Sequence, residues 1–178
     1  MEGASAAVQR EWLQRVEAEY RSSAITQHLT LWLTQIGASP DLIREGLRIA
    51  DDELAHAQLS HQVVVAAGGT VAPLLLERAE LGLSVHDDES LEASVLRAGV
   101  GIFCLGETVA VPLFKELRAG CTVAVARRAL DRILRDEVRH RDFGWTLLAW
   151  LLATPHAPVL RQQLLSELAD LFGSVRAS

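Results

Sequence analysis

Asp52-Glu53-Leu54-Ala55-His56 and Asp136-Glu137-Val138-Arg139-His140 are two copies of one phrase, Asp-Glu-x-x-His. Each lies in a long stretch of helical pattern. A Glu and a His three residues apart fall on one face of a helix, one turn apart. Two such faces turned toward each other bring two carboxylates and two imidazoles to one buried point. Oxygen and imidazole donors in that number suit a pair of transition-metal ions.

Working outward, Gly and Pro divide the chain into helices. A first helix is expected from about Ser5, as N-cap, to Ile36. Gly37-Ala38-Ser39-Pro40 makes a tight turn, with Ser39 as N-cap and Pro40 at the first helical position. A second helix runs to about Ala67 and stops at Gly68-Gly69. A third spans about Ser90 to Ala119-Gly120. A fourth, capped by Thr122, runs to about Ala153. A shorter fifth covers Ala157 to Phe172, with Leu160, Leu164, Leu168 and Leu171 on one stripe. No strand signal is present.

The segment from Thr70 to Glu89 is mixed, holding Pro73, Gly82 and the cluster His86-Asp87-Asp88-Glu89. Its 20 residues reach about 66 Å when extended, and a 30-residue helix is only about 45 Å long. The segment can therefore cross the length of a bundle and set helices two and three parallel. The expected fold is all-α: one domain over residues 1–178, a four-helix bundle with a long crossover between helices 2 and 3 plus a short C-terminal helix.

Two further carboxylates complete the set. Glu107 is the only acidic residue between Glu92 and Glu116, and its stripe neighbours Val100, Phe103, Val111 and Phe114 are apolar. It should point inward, where an unpaired carboxylate is costly. In the first helix the choice is between Glu19 and Glu17. Glu19 continues the stripe of Trp12, Val16 and Ser23 and is preferred. Glu19 lies 18 residues before Gly37 and Glu53 13 after Pro40; Glu107 lies 13 before Gly120 and Glu137 15 after Thr122. These depths let all four meet mid-bundle. A metal-bound His usually donates its other N–H to an outer acceptor. Asp52 is expected to orient His140, and Asp136 to orient His56. Asp51 reads as a solvated charge.

From Arg10 to Leu152 the chain resembles the ferritin-like di-iron carboxylate superfamily, on Glu19, Glu53-x-x-His56, Glu107 and Glu137-x-x-His140. The spacing is similar to that of bacterioferritin-type chains. The resemblance implies two iron ions, with manganese or a mixed pair fitting the same ligands. Glu53 and Glu137 would bridge, Glu19 and Glu107 would be terminal, and all six would be the catalytic set. It is shared by ferritins, rubrerythrins, manganese catalases and di-iron hydroxylases and N-oxygenases, and does not choose among them.

Other features narrow the activity. Met1 is the only Met, so no haem held between two Met is expected. Cys104 and Cys121 form no Cys-x-x-Cys module, so electrons must come from an external donor. Gly101, Gly106 and Pro112 suggest a kinked or bulged third helix, and Gly144 adds a small residue one turn past His140. Phe103, Cys104, Val111 and Gly144 then line an apolar pocket, or the glycines serve close helix packing. The expected activity is an oxygenase-type oxidoreductase, a monooxygenase acting with O₂ on a small organic substrate. Ferroxidase or iron storage is the runner-up, and a metal-stabilised interaction protein the third reading. Net charge is −6, which argues against nucleic acid as a partner. Two lone cysteines and no leader pattern suggest a cytoplasmic chain. No apolar run reaches membrane-span length. A homodimer is compatible with the Trp residues and fifth helix.

Overall fold

Caps and left-handed glycines set the helix ends. The computed structural model describes residues 6–70, 76–85 and 89–177, with side chains through residue 173. Helix α1 spans Ala6–Gln35 and is followed by Gly37 at φ +70°. Helix α2 spans Pro40–Ala66; the Ser39 hydroxyl accepts from the Leu42 N–H, and Pro40 occupies the first turn. Gly68, at φ +79°, closes that helix. After a short 3₁₀ turn at Arg78–Leu81, α3 spans Leu91–Gly120, with the Ser90 hydroxyl accepting from the Ala93 N–H at 3.2 Å. Helix α4 spans Ala124–Leu151 and α5 spans Ala157–Ala177.

The chain is all-helical, with no strand among the described residues. Two boundaries differ from expectation. Thr122 does not cap α4: Val123 holds the cap position with no side-chain bond. Helix α5 runs on past Phe172 to Ala177. Ser5, Pro73 and His86 to Asp88 lie outside the described residues.

Side-chain pairs give the packing directions. Ser22 meets Glu53, Ser23 meets Ala50 and Thr30 faces Gly46, so α1 and α2 are antiparallel. Glu45 meets Arg139 and His56 meets Asp136, so α2 and α4 are antiparallel. Arg118 meets Asp131 and Gly99 meets Leu147, so α3 and α4 are antiparallel too. Helices α2 and α3 therefore point the same way, as the long connection requires. His28 holds that connection: its Nδ1 accepts from the Leu83 N–H at 2.9 Å, with the ring edge-on to Trp32.

Small residues let the helices approach. A Cβ on Gly46 would sit 2.4 Å from the Thr30 hydroxyl. One on Gly144 would sit 2.6 Å from Phe103 Cβ and 2.8 Å from the Cys104 backbone nitrogen. The main apolar core includes Leu33, Ile49, Val95, Phe103 and Leu147, closed by Leu160 of α5. Each such side chain contributes about 1.5–3 kcal/mol on burial. Smaller clusters around Val63 and Ala129 and around Phe114 and Ile133 lie toward the other end. A layer of buried Glu and His separates the two.

Helix α3 corrects two expectations. The wide turn is not at Pro112, which sits in regular α-helix. It is a π-helical segment at Gly99–Gly106, where the Glu107 N–H donates to the Ile102 carbonyl five residues back. Three glycines in that segment tolerate the widened backbone. The reading that no stretch could span a membrane was also too strong. Over its most apolar window α3 has a mean hydropathy of 1.5, long and apolar enough by composition alone. Isolated residues of Glu107 type interrupt that window, which no simple run of apolar letters reveals.

Candidate metal centre

Each of the four long helices brings one carboxylate to the polar layer, and α2 and α4 each add a histidine one turn on. Glu19, Glu53, Glu137, His56 and His140 are buried, both imidazoles fully so. Glu107 is half-buried and follows directly on the π segment. The donors form two overlapping groups, each with one atom per residue within 4.8 Å of the others. One is Glu19, Glu53, His56 and Glu137. The other is Glu53, Glu107, Glu137 and His140. Glu53 and Glu137 belong to both. Glu17 is not part of either group, and Asp51 is exposed.

Both histidines turn Nδ1 inward. His56 Nδ1 lies 3.4 Å from Glu53, 3.5 Å from Glu137 and 3.8 Å from Glu19. It is buried without a hydrogen-bond partner. His140 Nδ1 lies 2.9 Å from Glu137 and 3.4 Å from Glu53. The Nε2 atoms face outward, each to the Asp of the other phrase. His56 Nε2 donates to Asp136 at 3.3 Å, and His140 Nε2 lies 3.5 Å from Asp52. For His56 such an outer acceptor fixes the tautomer that leaves Nδ1 free to bind a metal, whereas His140 Nε2 makes no hydrogen bond among the described residues.

Behind these aspartates stands an arginine pair that the sequence reading missed. Arg132 bonds Asp52 at 2.9 Å and also Asp136. Arg139 bonds Asp52 and lies 3.4 Å from Asp136 and 3.3 Å from Glu45. Arg132, Asp136 and Arg139 share one face of α4 by their three- and four-residue spacings, which was a readable signal. Ser22 was missed as well; its hydroxyl donates to Glu53 at 3.1 Å.

Proton affinities reflect the crowding. Burial raises Glu19 to about 7 against the opposing pull of His56. Burial and the charges of Glu137 and Glu53 hold Glu107 well above the carboxylate range. For Glu53 burial pushes upward, but the neighbouring His140 and His56 imidazoles outweigh it and hold the group below that range. For the imidazoles burial pushes downward. Glu19 and Glu53 nonetheless lift His56 to about 11, and Glu137 and Glu53 lift His140 to about 10. For Asp136 burial pushes upward, and bonds to Arg132 and His56 reverse it, leaving it lowered. Without metal, then, protons stand in for cations among these carboxylates.

The donor chemistry fits divalent metal. Four carboxylates and two imidazoles divide into two clusters with two shared oxygen donors, and one orphaned buried nitrogen points into them. A cleft of about 340 Å³ leads from the surface between α1 and α3 to Glu19, Glu53, Glu107 and Glu137. The pocket expected at Phe103, Cys104, Val111 and Gly144 does not coincide with it. Phe103 and Cys104 are fully buried, and Gly144 packs directly on their backbone. Close helix packing accounts for that glycine. Burial also pushes the Cys104 thiol up to about 12, which leaves it an inert packing group.

No family model matches the chain, no curated protein matches it, and no solved structure matches it.

Proposed function

We infer that the chain is a ferritin-like four-helix bundle enclosing a dinuclear metal site, and that it uses O₂ to oxidise a small organic substrate. One observation carries this reading. Six donors form two groups that share Glu53 and Glu137, while each histidine turns Nδ1 inward and Nε2 toward an aspartate. Glu53 and Glu137 would bridge the ions; Glu19 with His56 would hold one, and Glu107 with His140 the other. Two iron ions are the first choice, with manganese or a mixed pair suited to the same donors. Metal held there would supply the redox chemistry that O₂ activation needs.

The chain's own residues do the rest. Asp136 holds the His56 imidazole by Nε2 and Asp52 lies 3.5 Å from His140 Nε2, with Arg132 and Arg139 fixing both aspartates. Ser22 fixes one oxygen of Glu53, which limits how that carboxylate can swing. The apolar core on one side of the centre excludes water from it. The cleft on the α1–α3 side gives a small molecule access to the half-buried Glu107. An external electron donor completes the scheme; Cys104 and Cys121 are free thiols. We place the protein in the cytoplasm, where such thiols stay reduced, and take nucleic acid and membrane not to be partners.

Ferroxidase activity is the second reading, favoured by Glu11 at the cleft mouth, which adds a carboxylate to the path of an incoming cation. Anaerobic loading with two Fe(II) per chain, then exposure to O₂, tests both. Oxygen uptake by a small oligomer with no mineral core supports the oxygenase reading. Many irons per chain in a large cage would replace it with storage, and bound metal with no oxygen uptake would leave a structural role.

A further inference from the structure

Beyond the metal centre, a second open space lies at the end of the helices where α1 and α4 begin and α2 and α3 finish. It is a chamber of about 710 Å³ walled chiefly by apolar groups, among them Trp12, Val63, Ala126 and Leu130. That size lies within the roughly 300–1,000 Å³ typical of small-molecule sites. Two residues, Glu11 and Arg15, line both this chamber and the cleft that reaches the four carboxylates. The two spaces are therefore neighbours.

Arg15 is the only cation among the residues lining either space. It is half-buried, with its guanidinium 4.7 Å from the Phe114 ring centre and 5.5 Å from that of Trp12. Those rings orient it, yet it makes no ion pair among the described residues. Glu11, one turn before it, is exposed and forms no pair with it. A partly desolvated guanidinium retains bidentate capacity for a carboxylate.

We propose that Arg15, the chamber and the cleft form one site for an amphipathic monocarboxylic acid: Arg15 takes the carboxylate and the chamber takes the apolar chain. The carboxylate end then lies nearest the metal centre. As a statement about substrate this rests on the dinuclear reading; as a statement about binding it does not.

Calorimetric titration of the metal-free protein with decanoate, decan-1-ol and acetate separates the parts. Saturable binding of about one decanoate per chain is expected, with acetate far weaker. Arg15→Gln should weaken decanoate about tenfold or more and leave decanol unchanged. Ala66→Trp fills the chamber from its exposed rim, where folding is not at stake, and should weaken decanoate and decanol together. Equal decanoate affinity in Arg15→Gln and the parent overturns the proposal, as does the absence of saturable decanoate binding. Unchanged affinities in Ala66→Trp overturn it too. Metal counts on the same samples are read separately, so failure of the dinuclear reading is distinguishable from failure of this one.

Discussion

Glu19 shows what the metal centre costs the protein when no ion is bound. Its carboxyl rises from 4.5 to about 7 in the folded chain, so the folded state keeps a proton that the unfolded state has released. Stability of the metal-free protein must therefore fall as pH climbs from about 4.5 to about 7, by about 3 kcal/mol from this group. His56 and His140 act at higher pH. Their raised affinities stabilise the fold fully below about 6.5, and that gain is lost progressively as pH rises from there to about 10 for His140 and about 11 for His56. Thermal unfolding of metal-free protein should show Tm dropping between pH 5 and pH 8, and Glu19→Gln should flatten that slope. A Tm that rises across this window would contradict the account. Loading metal at pH 7 must also expel protons from His56, His140 and Glu107. More than two protons released per chain, read in weakly buffered dye, is the expected outcome.

Arg132 and Arg139 lie one layer farther out. Replacing both by Gln leaves all six donors in place but frees Asp52 and Asp136. Metal affinity should fall by about 10- to 100-fold, measured by competition with a chelator, while circular dichroism keeps its helical signal. Unaltered affinity would reduce the pair to surface ion pairing.

At the scale of elements, α3 decides the most. The two Asp-Glu-x-x-His phrases were legible because three-residue spacing on one helix is local and needs no partner to interpret. Glu107 was legible as an acid on an apolar stripe. The way α3 delivers it was not: the π segment at Gly99–Gly106 depends on how that helix meets α4, and Pro112 was the more conspicuous letter. The arginine pair escaped for a related reason, since its meaning lies in Asp52 on another helix. Gly144 was read toward a pocket because sequence carries no sign of Phe103 resting on it. Its packing yields a prediction. Gly144→Ala should destabilise the fold by about 1–3 kcal/mol, since its Cβ meets the α3 backbone. Gly46→Ala should cost less, because the atom it meets is the rotatable Thr30 hydroxyl. Chemical denaturation reads both, and the reverse order would refute the packing argument.

For the molecule as a whole, the polar layer lies between a large apolar core and a looser end that holds the chamber. Ions bound to the layer should tie α1, α2, α3 and α4 together, and divalent metal should raise Tm at neutral pH. The outer face of α3 carries exposed Val109, Leu113 and Leu117 at four-residue intervals, the stripe on which a homodimer would be sought by sedimentation. The central claim remains the shared, two-ion geometry, and metal counting under anaerobic dialysis with Fe(II) tests it most directly. Two ions per chain are predicted for the parent, one for Glu107→Ala, and fewer than one for Glu53→Ala, which removes a donor common to both groups. Two ions retained in Glu107→Ala, or none in the parent, would contradict it.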